Sequence, residues 1–189
     1  PLRRQRQMCI RDRFSLANFL SFNQMQTFSM EAGKARKNSK RVYKDKHIKL
    51  TKCEAIFGAN ASGKSNLIEA FQFVQDMVIN GLPNGFTNKY FRQEPCNQSL
   101  PSSFEVELLL GNKHIVYGFS VLLKTGSIQR EYLYEITPTN VQRQIFCRNL
   151  LDDTFFVGDY FKATSGIEKL NIYLSLIHIS EPTRHSLIS

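Results

Sequence analysis

The sequence predicts an α/β fold in which one strand, loop and helix unit is followed by an antiparallel β meander. Three observations lead there. Residues Gly58-Ala59-Asn60-Ala61-Ser62-Gly63-Lys64-Ser65 have the spacing G-x-x-x-x-G-K-S between an apolar run and a helical stripe. Residues 103–136 form three alternating apolar and polar runs separated by turn residues. The stretch from Phe14 to Tyr173, 160 residues, is long enough for one core.

Both ends read as translated sequencing adapter. Gln7-Met8-Cys9-Ile10-Arg11-Asp12 can be encoded by CAG ATG TGT ATA AGA GAC, with AG opening the next codon. The reverse complement of that DNA translates as Leu-Ser-Leu-Ile-His-Ile, the sequence of residues 174–179. A transposon end joined to both sides of a DNA fragment produces this relation automatically. Residues 1–13 and 174–189 are therefore expected to be scars, excluded from reasoning about the fold, and residues 14–173 to be the N-terminal part of a longer domain. A basic N-terminal arm for nucleic acid is the alternative for the first segment.

Of the formal net charge of +9, residues 1–13 supply five arginines against one aspartate, and the part between the scars keeps +5. Much of that sits at Lys34, Arg36, Lys37, Lys40, Arg41, Lys44, Lys46, Lys49 and Lys52, opposed only by Asp45. This segment suits nucleotide phosphates or a nucleic-acid backbone, or is a solvated loop. Cys53, Cys96 and Cys147 are far apart without a C-x-x-C or a paired histidine, so neither a disulfide framework nor a zinc site is expected. With no signal peptide and no long apolar run, a cytoplasmic protein without a membrane segment is expected.

Taken in order, residues 14–19 and 25–30 read as two strands joined by a turn at Leu20-Ser21-Phe22-Asn23. The basic stretch reads as a long loop with at most a short strand near its end. Tyr43 or His47 within it is a candidate to stack on an adenine ring, the alternative being an exposed side chain. Residues 53–57 lack polar alternation and read as a strand buried on both faces. In the loop that follows, the glycines let successive N–H groups face a phosphate, Lys64 supplies a point charge, and the Ser65 hydroxyl suits Mg²⁺. A helix is expected from about Lys64 to Asn80-Gly81, with Leu67, Ile68, Phe71, Val74, Val78 and Ile79 on one stripe. Residues 82–102 are rich in Pro, Gly, Asn and Ser and read as irregular connection.

The meander comprises residues 103–110, 114–122 and 128–136, with turns at Gly111-Asn112-Lys113 and Lys124-Thr125-Gly126. Residues 142–148 and 154–157 extend it, and residues 161–173 are ambiguous, with the start of a helix that the fragment cuts off as the reading offered. Leu150-Leu151-Asp152-Asp153 reads as a turn rather than the end of a magnesium-binding strand. His114 and His47 have no partner at ligand spacing and read as surface histidines.

Asn18-Phe19-Leu20-Ser21-Phe22, the loop from Gly58 to Ser65 followed by Asn66, and the meander with Phe104-Glu105-Val106-Glu107 and Tyr117-Gly118-Phe119 together resemble a known family. They are similar to the N-terminal lobe of an ABC-type P-loop NTPase head of the RecF, SMC and OLD class, closest to bacterial AAA family ATPases related to abortive infection. The resemblance spans residues 14–173 and implies ATP and Mg²⁺ as cofactors, held by Gly58, Ala59, Asn60, Ala61, Ser62, Gly63, Lys64, Ser65 and Asn66. It also implies a metal-sensing glutamine between two lobes, for which Gln93 and Gln98 are candidates. The later half of such a head carries the signature motif, the acidic strand and a switch histidine, so no catalytic residue is expected in this fragment and ATP hydrolysis belongs to a dimer of intact heads. An effector protein and DNA are the further partners the resemblance allows. Two functions follow from it, an anti-phage defence ATPase and a DNA-repair or chromosome-maintenance ATPase; a third reading, from a different class, is a small-molecule or nucleoside kinase, which the meander and the lack of lid arginines do not suit.

Overall fold

A computed structural model of the chain describes residues 9–32, 42–44, 49–51, 55–110 and 113–158. Its centre is a seven-stranded antiparallel sheet with the strand order β2-β1-β5-β6-β7-β8-β9, packed on one face by the one long helix among the described residues. The strands are β1 (Cys9–Ala17), β2 (Gln26–Ser29), β5 (Ser102–Leu110), β6 (Lys113–Leu122), β7 (Ser127–Ile136), β8 (Gln142–Asn149) and β9 (Thr154–Val157). A separate hairpin pairs β3 (Val42–Lys44) with β4 (Lys49–Thr51). The helix α1 runs from Lys64 to Asn80, within a residue of the boundary expected from its glycines.

The period of two decides which side chains meet the helix. Phe14 and Leu16 of β1, Phe104 and Val106 of β5, Tyr117, Phe119 and Val121 of β6, Leu133 of β7 and Phe146 of β8 all turn to the core. Register aligns them in rows, with Leu16 opposite Phe104, Phe104 opposite Phe119 and Val106 opposite Tyr117. From α1, Phe73 enters the middle of this surface, its ring centroid 5.2 Å from Phe19, 5.1 Å from Phe104 and 5.9 Å from Phe86. Such tilted contacts add to the burial of large apolar areas, and together these rings are the centre of the core.

Two local expectations are corrected. The buried stripe of α1 is Leu67, Ala70, Phe73, Val74 and Met77, whereas Ile68 and Ile79 are 59% and 61% exposed. The helix has turned by roughly one residue position, because seating Phe73 among the sheet's phenylalanines outweighs covering two isoleucines. The stretch expected as a doubly buried strand is not one over its described part. Residues 55–59 are extended without pairing, and Phe57 is 89% exposed. A parallel strand requires a neighbouring strand to hold it, and none lies beside these residues among those described. Residues 52–54, the turn residues 111 and 112, and residues 161–173 lie outside the described residues. The backbone of residues 9–13, read from sequence as adapter-derived, continues β1 along β5.

Candidate functional site

The loop from Gly58 to Ser65 is exposed and tightly wound. Ser62 N–H donates to the Ala59 carbonyl at 3.3 Å, Ala61 takes a φ of 64°, and Gly63 a φ of 90°. Glycine at 63 is required twice over: its backbone is left-handed, and a Cβ there would stand 2.8 Å from the Ser21 hydroxyl. The first intrahelical bond runs from Leu67 N–H to the Gly63 carbonyl at 3.0 Å. The N–H groups of Lys64, Ser65 and Asn66 thus have no acceptor within the helix. No side chain caps this end, and its first turn carries no acidic residue. An uncapped helix start with its positive dipole end open suits an anion.

Lys64 bends back over the loop. Its Nζ donates to the Gly58 carbonyl at 2.7 Å, the Ala59 carbonyl at 2.5 Å and the Ser62 hydroxyl at 3.2 Å. Ser65 is exposed in the first turn, and Asn66 is half-buried. Three kinds of group, backbone donors, an ammonium and a hydroxyl, therefore sit at one helix end, and this donor set fits a phosphate with an associated divalent cation.

The loop's neighbour is the turn that follows β1. Ser21, against Gly63, also lines a surface hollow with Phe22, Asn23, Gln24 and Gln26. Asn18 fixes this turn. It is 5% exposed, takes a φ of 51°, and its Nδ2 donates to the Asn97 and Leu100 carbonyls at 2.9 Å each. Its Oδ1 accepts the Phe91 N–H at 3.2 Å, and its carbonyl accepts from the Ser102 hydroxyl. Asn97 closes the circuit by donating to Asn23 Oδ1 at 2.8 Å. One asparagine thereby joins the end of β1 to the connection at residues 91–102, including the 3₁₀ turn Pro95–Ser99. Its short amide side chain tolerates the left-handed backbone that this position demands.

The other nucleotide candidates lie elsewhere. Tyr43 is half-buried in β3 and packs on Leu50 and Leu109. Gln93 is exposed, and Gln98 is half-buried in the 3₁₀ turn. His47 lies outside the described residues.

His114 is corrected from a surface histidine to a member of a charged cluster. Its Nε2 lies 3.2 Å from Asp12 Oδ2 and 3.3 Å from Glu107 Oε2, and its side chain is 16% exposed. The neighbouring carboxylates, Asp12 first and Glu107 next, raise its pKa to about 9 against the opposing effect of burial. Sequence spacing could not reveal this, because the three residues come from β1, β5 and β6 and meet only across the sheet. On the core side, Glu131 is buried between Tyr117, whose hydroxyl donates to it at 2.8 Å, and the Arg148 guanidinium, also at 2.8 Å. Burial raises the Glu131 carboxyl above its ordinary range, against the lowering effect of Arg148.

A search of curated proteins finds no match to the chain. A family profile described as "AAA domain, putative AbiEii toxin, Type IV TA system" matches residues 55–172, more than half of the chain, starting three residues before Gly58 and extending past the meander. The chain therefore belongs to this AAA domain family, nucleotide-binding P-loop ATPases related to abortive infection.

Proposed function

We propose that the loop from Gly58 to Ser65 binds the phosphates of ATP with Mg²⁺, and that in an intact dimeric parent protein ATP hydrolysis drives a switch in anti-phage defence. The observation that carries the binding reading is the start of α1: a left-handed Gly63 presents Lys64 and Ser65 at a helix end that has neither cap nor acid. The N–H groups of the first turn and the Lys64 ammonium take up negative charge, and the Ser65 hydroxyl is placed to ligate a cation. Mg-ATP supplies, when bound, an anhydride whose cleavage releases energy for a conformational change. The defence role rests on the family alone, and the RecF, SMC and OLD class of head accounts for a meander that follows the loop helix in the chain.

The test is titration of the 189-residue chain with a fluorescent ATP analogue, with and without Mg²⁺. Lys64→Ala should weaken binding at least tenfold, and Ser65→Ala should remove most of the Mg²⁺ dependence. Equal affinity of wild type and both variants would remove the loop as the binding site.

A further inference from the structure

We propose that Asp12, Glu107 and His114 form a binding site for a divalent transition-metal ion of zinc's size, separate from the phosphate loop. One nitrogen, His114 Nε2, faces two carboxylate oxygens at 3.2 and 3.3 Å, and one ligand atom from each of the three residues lies within 4.8 Å of the others. A tetrahedral ion with bonds of about 2.0–2.1 Å holds its ligand atoms about 3.3–3.4 Å apart. Two edges of such a tetrahedron are therefore already in place.

The hydrogen bonding is incomplete in the manner a metal would remedy. A single N–H cannot point along two carboxylates, and His114 Nε2 is buried without an aligned hydrogen bond to either. Asp12 is only 4% exposed, and its second oxygen, Oδ1, is buried without a hydrogen-bond partner among the described residues. Buried carboxylate oxygens rarely go unpartnered, since the loss of water is not compensated. An ion in the position of the Nε2 proton takes the nitrogen lone pair and one oxygen from each carboxylate, and that proton is released to solvent. Oδ1 of Asp12 or a water completes the set.

The backbone supports this arrangement. β1 shifts register against β5 between Arg11 and Arg13, and Asp12 is the residue in that irregularity, re-aimed toward His114. Arg13 Nη1 holds the other side of the Glu107 carboxylate, at 3.3 Å from Oε1, which orients Oε2. Glu107 and His114 lie within the stretch matched by the family, and Asp12 lies in the segment read as adapter-derived. The site is accordingly a property of this polypeptide, with Asp12 as its third ligand.

The experiment uses the full chain stripped with a chelator, titrated with Zn²⁺ by calorimetry and with Co²⁺ by visible absorption. One ion per chain and the d–d absorption of a tetrahedral nitrogen and oxygen site are expected. Asp12→Asn and His114→Gln should each weaken Zn²⁺ binding tenfold or more, with ATP-analogue binding unchanged. A cobalt spectrum dominated by thiolate charge transfer, or no binding by the wild-type chain, would overturn the proposal. So would unaltered affinity in both variants. The wild-type cobalt spectrum decides the matter even where a variant fails to fold.

Discussion

Asn18 fixes the turn beside the loop from Gly58 to Ser65. Its amide closes three main-chain contacts to the 91–102 connection while its own backbone is left-handed. Asn18→Ala leaves buried carbonyls without donors and places alanine at a positive φ, so it should cost about 2–4 kcal/mol of stability. Urea unfolding measures this, and a loss under about 1 kcal/mol would show that water replaces the amide. The importance of Asn18 was not legible in the sequence beyond its membership in a strand and turn pattern. Its partners lie more than 70 residues away, and no local rule links them. Distance hid half of the His114 cluster in the same way: Asp12 is far off in sequence on β1, whereas Glu107 stands across the β5–β6 hairpin. The loop from Gly58 to Ser65 and the start of α1 were legible because their pattern is contained in eight consecutive residues.

Among the elements, β6 and β7 are locked by a missing side chain. A Cβ at Gly118 would lie 2.2 Å from Tyr132 Cζ, so the tyrosine ring lies directly over the glycine, and its hydroxyl donates to Glu105 at 2.5 Å. Tyr132 in turn stacks on Tyr134, with ring centroids 5.9 Å apart. Gly118→Ala must lift the ring and break its bond to Glu105, at an expected cost of about 1–3 kcal/mol. Combining it with Tyr132→Ala should recover part of that loss in a double-mutant cycle of thermal unfolding. Strictly additive losses would contradict the contact. The existence of these strands followed from alternation and turn residues, which are local. The rotation of α1 and the unpaired state of residues 55–59 did not, because each depends on what stands opposite: a phenylalanine cluster in the first case, a neighbouring strand in the second.

For the molecule as a whole, the sheet is closed on neither side by a barrel contact, and β9 is its last strand. Phe155 and Phe156 on that strand are 60% and 46% exposed, on opposite faces of a row of backbone groups that no described residue pairs on its outer side. Such an edge recruits other strands. The 189-residue chain should therefore self-associate as its concentration rises, and replacing both residues with lysine should shift light scattering toward the monomer. A wild-type chain that stays monomeric at all concentrations would refute this.

The bend of Lys64 onto its own loop carries a last consequence. With Nζ on two carbonyls and a hydroxyl of residues 58–62, the ammonium ties the loop's entrance to its exit. On the reading proposed above, a phosphate reaching Lys64 would compete with these three oxygens for a single charge, so the same ammonium would have to give up its hold on the loop in order to take the ligand.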